Sequence, residues 1–267
     1  MTQVDENAAP GVLVEHRGSV CSITINHPER HNALSLEVLR DLARGFDTAA
    51  DHEGARAVVL TGAGTKTFCA GGQLVASDDG SPFELDAERF DNPVALLFRA
   101  MDRCPLPIIG RINGSAFGGG IGLICACDIA VTVDTAKFGT TEARLGVFPL
   151  MILPLMMRVI PRRQLHEMCF FAERFAAQRA LAIGLVNDVV APEALDGAIA
   201  AIVEKLRMNS PTALKIGRRA INAVSDLALA DALNLTQALL PLLAQSDDAR
   251  EGFRAFAERR PPVWKTK

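Results

Sequence analysis

The sequence predicts an α/β fold with a C-terminal region that is entirely helical. Short apolar strands alternate with amphipathic helices between residues 11 and 191, whereas only the helical period continues after residue 192. A chain of 267 residues can bury roughly three quarters of its unfolded surface, so it needs neither disulfides nor a metal to fold. We divide the chain into a flexible N-terminal arm (1–10), a core of strands and helices (11–191) and a C-terminal helical region (192–267).

The first strands are predicted to form a hairpin. The segments Val12 to Arg17 and Val20 to Asn26 are strand-like, and the turn between them contains Gly18. Ser35 can cap a helix, and Ala57 to Thr61 has the composition of a buried strand. The order strand, helix, strand predicts a right-handed crossover.

The stretch from residue 75 to residue 92 is polar and rich in turn-forming residues, which predicts a mobile flap. Glu84, Asp86 and Glu88 give this flap three carboxylates. Helices are expected over 93–103, 149–160, 164–172, 176–183, 193–208 and 211–224, with two more at the C-terminus, and strands over 107–112, 128–133 and 186–190.

Five glycines lie in the otherwise apolar stretch from Asn113 to Asp128. Three are consecutive, Gly118 to Gly120, and each costs about 0.5–1 kcal/mol relative to alanine in a regular element. Close approach of another group to the backbone is the expected reason. The residues that follow predict a short buried helix, whose first N–H groups lack intrahelical partners. An N–H near Gly119 can therefore donate to a ligand oxygen that acquires negative charge.

A second glycine turn lies upstream in the segment Phe68-Cys-Ala-Gly-Gly-Gln-Leu74, directly after an apolar strand. The N–H of Gly72 is the predicted partner of the N–H of Gly119. Two such donors that converge on one oxygen would form an oxyanion hole.

These two turns belong to a set of four motifs. The others are Asn26-His-Pro-Glu-Arg-His-Asn-Ala-Leu34 before them and Phe138-Gly-Thr-Thr-Glu-Ala-Arg-Leu-Gly146 after them. In this order the four motifs resemble those of the crotonase family, also called the enoyl-CoA hydratase/isomerase family, from about residue 11 to the C-terminus. The resemblance implies a spiral of ββα units, a C-terminal helical region that mediates trimerisation, and an acyl-CoA thioester as substrate.

The resemblance also implies a catalytic base. Glu142 matches one of the two family glutamates that serve as acid and base, but the position of the other glutamate is Gly122 here. Hydration by the family mechanism uses both carboxylates on one water, whereas a double-bond shift needs one base that moves a proton from C2 to C4. We therefore predict an enoyl-CoA isomerase.

Three alternatives remain open. One is an enoyl-CoA hydratase in which a flap carboxylate replaces the missing glutamate, and another is a different enolate reaction such as thioester hydrolysis or decarboxylation. The third belongs to another class, a non-catalytic protein that binds CoA esters.

The resemblance further implies that main-chain groups around Arg30, Ala70 and Gly71 hold the CoA moiety. Basic residues near the C-terminus would reach its phosphates, from the same or a neighbouring subunit (Arg259, Arg260 and Lys265). Apolar residues would line an acyl pocket that Gly122 is expected to enlarge (Phe117, Ile121, Leu145, Val147, Phe148 and Met151).

Composition narrows the class of protein. A net charge of −3 with 22% charged residues offers no general attraction for nucleic acid or anionic membranes. The longest apolar runs fall short of the ~20 residues that span a bilayer, and the N-terminus has no signal-peptide core, so we expect no membrane insertion and a cytoplasmic location.

Cofactor motifs are absent from the sequence. The six cysteines form no C-x-x-C pair, which predicts buried reduced thiols and no metal site. Dinucleotide, phosphate-loop and serine-hydrolase motifs are also missing, so no cofactor beyond the CoA of the substrate is expected. A C-terminal helical region of this size has too few residues for a core of its own, and we expect its apolar faces to pack partly against other subunits in a homotrimer or hexamer.

Overall fold

The computed structural model describes residues 10–72 and 92–264, and two sheets with ten helices account for the regular structure within these ranges. Most of the N-terminal arm, most of the predicted flap with Glu84, Asp86 and Glu88, and Lys265 lie outside the described residues. The strands are β1 (Val12–Arg17), β2 (Val20–Ile25), β3 (Ala57–Gly62), β4 (Thr67–Cys69), β5 (Ile108–Ile112), β6 (Ser115–Phe117), β7 (Ile129–Val133), β8 (Lys137–Gly139), β9 (Phe175–Ala176) and β10 (Asp188–Val190). The helices are α1 (Leu36–Thr48), α2 (Pro93–Arg103), α3 (Gly119–Cys125), α4 (Leu153–Val159), α5 (Arg162–Phe171), α6 (Ala177–Ala182), α7 (Leu195–Arg207), α8 (Pro211–Val224), α9 (Leu229–Ala244) and α10 (Asp247–Ala257).

The larger sheet has the strand order β1-β2-β3-β5-β7-β10. Strands β1 and β2 form the predicted antiparallel hairpin, and every other neighbouring pair is parallel. Helix α1 joins the parallel strands β2 and β3, and the Ser35 hydroxyl caps it by accepting from the Val38 N–H. The central strands are buried and rich in Val, Ile and Leu, as expected where helices cover a parallel sheet.

A smaller sheet of four strands, β4-β6-β8-β9, is not predicted by the sequence patterns. Its strands have only two or three residues, and β4 and β6 end directly before the two glycine turns. Strands β4, β6 and β8 are parallel neighbours. Their carboxyl ends therefore lie side by side, which brings the segments that follow them to one edge of the sheet.

The helices lie close to their predicted positions, with one clear difference. Helix α4 begins at Leu153 and not at Pro149, because residues 149–152 form turns and Pro154 lies in the first turn of the helix. The six cysteines are all free, and five are buried, as predicted. No helix in the described ranges is long and apolar enough to cross a membrane.

The C-terminal helical region packs partly on the core of its own chain. Ile199 and Val203 of α7 are buried against β5 and β7, so part of the apolar face of α7 is covered by its own chain. Arg218 of α8 is 7% exposed, and its Nε lies 2.7 Å from Asp128 Oδ2. Asp128 also accepts from the Ile108 N–H, so its side chain has a structural role.

Candidate active site

Three hydrogen bonds to residues that precede it in the sequence hold the turn after β4. Ala70 N–H donates to His31 O over 3.0 Å, Gly71 N–H donates to Cys69 Sγ over 3.4 Å, and Gly71 O accepts from the Leu34 N–H over 2.8 Å. Gly71 has φ +94°, and a β-carbon there would lie 2.8 Å from Phe117 O. Residue 71 must therefore be glycine both for its conformation and for this close contact.

The turn after β6 places Gly119 at the first position of α3. Gly118 has φ +49° and donates its N–H to Gly139 O of β8 over 3.1 Å. A β-carbon on Gly119 would lie 3.5 Å from the nitrogen of Gly72, so the two glycine turns are in contact. Neither the Gly72 nor the Gly119 N–H has an acceptor among the described residues. These two donors form a candidate oxyanion hole.

Glu142 begins the short 3-10 turn Glu142–Leu145, three residues after β8. Its Oε1 lies 3.0 Å from the point that a β-carbon on Gly118 would occupy, so the carboxylate faces the second glycine turn. Its Oε2 is buried and has no hydrogen-bond partner in the described part of the chain. Burial raises the pKa of this carboxyl above its ordinary value. A half-buried carboxylate without a fixed partner is suited to accept a proton from a substrate.

Gly122 does not enlarge a pocket, in contrast to the expectation from the sequence. A β-carbon at this position would lie 2.3 Å from Ile152 Cγ2 and 2.9 Å from Phe98 Cζ. The space that a side chain at residue 122 would need is thus filled by two apolar side chains. Gly122 is a packing glycine that allows α3 and α4 to approach each other.

The other predicted pocket residues lie in different settings. Phe117 ends β6, with the Arg174 guanidinium 4.8 Å above its ring. Phe148 is half-buried and packs on Phe170, whereas Leu145 is 62% exposed and lies in an open cavity of about 510 Å³ beside Arg174.

Two of the residues predicted to hold CoA, Ala70 and Gly71, lie in the first glycine turn itself. Arg30 is exposed at the end of a 3-10 turn, and the next residue, His31, is hydrogen-bonded to Ala70 as described above. Arg260 is bound within its own chain, because its guanidinium pairs with Glu251 and Glu258. These ion pairs argue against the expectation that Arg260 reaches a nucleotide phosphate.

One buried polar residue near the site is not singled out by the sequence patterns. Asn32 is fully buried, with φ +55°, and its side chain makes three hydrogen bonds to the backbone. The signal available in the sequence is an asparagine in a turn segment, because asparagine tolerates the left-handed conformation. An asparagine in a turn segment thus predicts the left-handed backbone conformation of residue 32, but it does not predict that the side chain is buried.

The fold and the arrangement of the site are typical of an enzyme, and comparisons with known proteins identify its family. The enoyl-CoA hydratase/isomerase family model matches residues 15–267. One relative is an (E)-benzylidenesuccinyl-CoA hydratase of Thauera aromatica, which is 34% identical over 95% of this chain and 98% of that protein. Another is a short-chain-enoyl-CoA hydratase of Clostridium acetobutylicum, which is 30% identical over 93% of this chain and 95% of that protein. The crystal structure of an enoyl-CoA hydratase of Mycobacterium smegmatis superimposes with a TM-score of 0.88 at 32% identity, covering 96% of this chain and 99% of that one. The chain belongs to the enoyl-CoA hydratase/isomerase family, the crotonase superfamily.

Proposed function

We propose that the protein shifts the double bond of an enoyl-CoA between C3 and C2, with Glu142 as the single base. The observation that carries this proposal is the filled space at Gly122. The structure has no room for a second carboxylate at residue 122, because Ile152 and Phe98 occupy its place. Hydration by two carboxylates would need another source for the second one.

In the proposed reaction Glu142 removes a proton from C2 of a 3-enoyl thioester. The electron pair of the C2–H bond forms the C1–C2 double bond of a dienolate, and the negative charge moves to the thioester oxygen. The N–H groups of Gly72 and Gly119 bind that oxygen; loss of one such donor costs about 2.7–4 kcal/mol in other enzymes. Glu142 then returns the proton to C4, and the C2–C3 double bond forms as the carbonyl is restored.

The raised pKa of Glu142 supports this role. A desolvated carboxylate is a stronger base than one in water, which reduces the difference in acidity that the proton transfer must overcome. The CoA moiety is proposed to lie along Arg30, Ala70 and Gly71, and no cofactor beyond it is required by these steps.

Hydration is the second candidate function, and the names of the relatives favour it. Both curated relatives described above are called hydratases. A carboxylate of the predicted flap (75–92), such as Glu84, Asp86 or Glu88, would then bind the water.

The deciding experiment incubates the protein separately with a 2-enoyl-CoA and a 3-enoyl-CoA and measures product mass. Isomerisation leaves the mass of the 3-enoyl-CoA unchanged while the double bond moves, whereas hydration adds one water to the 2-enoyl-CoA. Rapid water addition together with no conversion of the 3-enoyl substrate would overturn the isomerase proposal. Glu142→Gln should abolish turnover and retain CoA-ester binding, since it removes the base and preserves the shape of the side chain.

We also propose that the chain assembles as a homotrimer or hexamer. In α9 Leu233, Leu240 and Leu242 are all more than half exposed, and in α10 Phe253 and Phe256 are exposed as well. Exposed apolar side chains of this size favour association when they form a patch on the surface. Light scattering should therefore give a mass of at least three chains, and a mass near 28.6 kDa at micromolar concentration would contradict this.

A further inference from the structure

We propose that Asn32 is a positioning residue for the Gly72 N–H, which it orients through the segment His31–Leu34. This inference rests on the proposed role of Gly72 in binding the thioester oxygen. It concerns a residue that touches neither the substrate nor the base, and it explains why a fully buried amide lies beside the site.

The Asn32 side chain ties its own loop to the turn between β3 and β4. Its Oδ1 accepts from the His27 N–H over 3.0 Å, while its Nδ2 donates to Ala63 O over 3.0 Å and to Thr67 O over 2.8 Å. Both amide hydrogens are therefore used, and the residue is 0% exposed. A buried amide with all its donors satisfied fixes its surroundings, because any displacement leaves a buried polar group unpaired at a cost of about 1–3 kcal/mol.

The segment that Asn32 fixes holds the first glycine turn by two backbone hydrogen bonds. One residue before Asn32, His31 O accepts from the Ala70 N–H, and two residues after it, the Leu34 N–H donates to Gly71 O. His31 and Asn32 both have a left-handed backbone conformation, with φ +53° and +55°. The position of both groups thus depends on the conformation at Asn32.

The bond from Leu34 acts on the peptide that carries the proposed oxyanion donor. Gly71 O and the Gly72 N–H belong to the same planar peptide group, and they point in opposite directions. The Leu34 N–H, 2.8 Å from Gly71 O, therefore fixes where the Gly72 N–H points. It also polarises the peptide, and hydrogen bonds in such a chain strengthen one another by about 10–30% each.

The experiment measures the polarisation of a bound thioester carbonyl directly. A saturated acyl-CoA labelled with ¹³C at the thioester carbonyl does not react, and its infrared carbonyl stretch moves to lower frequency when N–H groups bind the oxygen. In parallel, kcat and KM are measured with a 3-enoyl-CoA. The main variant is Asn32→Gly, since glycine accepts the positive φ and removes all three side-chain bonds.

The matched control is Asn113→Asp. Asn113 is 6% exposed and donates its Nδ2 to Gly64 O over 2.7 Å, so it holds the same Gly62–Gly64 turn without contacting the segment His31–Leu34. A second test variant replaces the leucine at residue 34 by its α-hydroxy analogue, in which an ester oxygen takes the place of the N–H that donates to Gly71 O. This variant retains every side chain and does not depend on whether Asn32→Gly folds.

For both test variants we expect most of the carbonyl shift to be lost. We also expect kcat to fall by about 10- to 100-fold and KM to change by less than about threefold, because a small misplacement of one donor affects the transition state most. The control should retain the wild-type shift. A wild-type shift in folded Asn32→Gly would overturn the role of Asn32, and a wild-type shift in the residue-34 analogue would overturn the role of the bond to Gly71 O; either result leaves the proposed function standing. The absence of any shift in the wild-type protein would remove the oxyanion hole itself, and both proposals with it.

Discussion

Ile152 occupies the space that any side chain on Gly122 would need, with its Cγ2 2.3 Å from the position of the missing β-carbon. Ile152 is 4% exposed and precedes α4, while Gly122 is buried in α3. The loss of a carboxylate at residue 122 and the presence of a bulky apolar residue at 152 are thus two parts of one packing arrangement. Interior packing leaves few voids, so neither residue can change independently of the other.

The first prediction is non-additivity between these two positions. Gly122→Ala should lower the free energy of unfolding by about 1–3 kcal/mol through overpacking, and Ile152→Ala by about 2–5 kcal/mol through a cavity. The double variant should lose less than the sum, by about 0.5–3 kcal/mol, because the new methyl group enters the cavity. Urea unfolding measures all three. Gly217→Ala in α8, where no described atom lies within 4 Å of the new β-carbon, is the control and should not lose stability.

The second prediction concerns reaction choice. Gly122→Glu alone should fold poorly, whereas Gly122→Glu with Ile152→Ala should fold and place a second carboxylate on α3. The ratio of water addition to double-bond migration should then rise by at least about tenfold relative to Ile152→Ala alone, since two carboxylates can hold and activate a water. Product masses from a 2-enoyl-CoA measure this ratio. An unchanged ratio in a folded double variant would show that Gly122 does not determine the reaction.

The larger sheet and the helices are predictable from the sequence, because strands such as Ala57–Gly62 and helices such as Leu36–Thr48 carry long apolar patterns and clear caps. The smaller sheet is not, since two- and three-residue strands carry no periodicity. The site is likewise predictable only in part. The resemblance indicates Glu142, Gly72 and Gly119, but the packing of Ile152 on Gly122 joins residues 30 positions apart, and only the folded structure shows it.

The third prediction separates backbone strain from close contact in the first glycine turn. Gly71 and Gly18 both have positive φ, but a β-carbon on Gly18 has no described atom within 4 Å, whereas one on Gly71 meets Phe117 O at 2.8 Å and Gly119 N at 3.1 Å. Gly18→Ala should therefore cost only the strain, about 1–2 kcal/mol, and leave kcat unchanged. Gly71→Ala should lose more stability and should reduce kcat by at least about 100-fold, because the two turns must separate. Equal losses of unfolding free energy and equal kcat values would contradict this account.

The fourth prediction is a pH dependence set by Glu142. Its pKa is raised above the ordinary value of 4.5 by burial, and a base acts only when ionised. The acid limb of kcat/KM should therefore lie above pH 4.5, with activity rising as the pH increases through the raised pKa. A limb at or below pH 4.5 would exclude Glu142 as the titrating base.

The same shift predicts an effect on stability with a defined sign. A carboxyl whose pKa is higher in the folded state than in the unfolded state binds its proton more tightly when folded, so its contribution to stability is complete at low pH and is lost as the pH rises through the folded pKa. Glu142→Gln should therefore gain unfolding free energy relative to wild type as the pH rises towards 7. Denaturant unfolding at acid and neutral pH measures this difference, and a gain confined to acid pH would reverse the assignment.

The last prediction concerns the attachment of the C-terminal helical region to the core. Arg218 of α8 is 7% exposed, and besides its bond to Asp128 it donates to the carbonyl oxygens of Met101, Asp102 and Cys104 at the end of α2. Arg218→Met should lower the free energy of unfolding by about 3–5 kcal/mol, because it leaves Asp128 without its charge partner and three carbonyls without their donor. Arg158→Met is the matched control, since the Arg158–Asp226 pair is exposed and worth about 0–1 kcal/mol. Equal losses in the two variants would mean that solvent screens Arg218 as well, and that the C-terminal region is held by its apolar contacts alone.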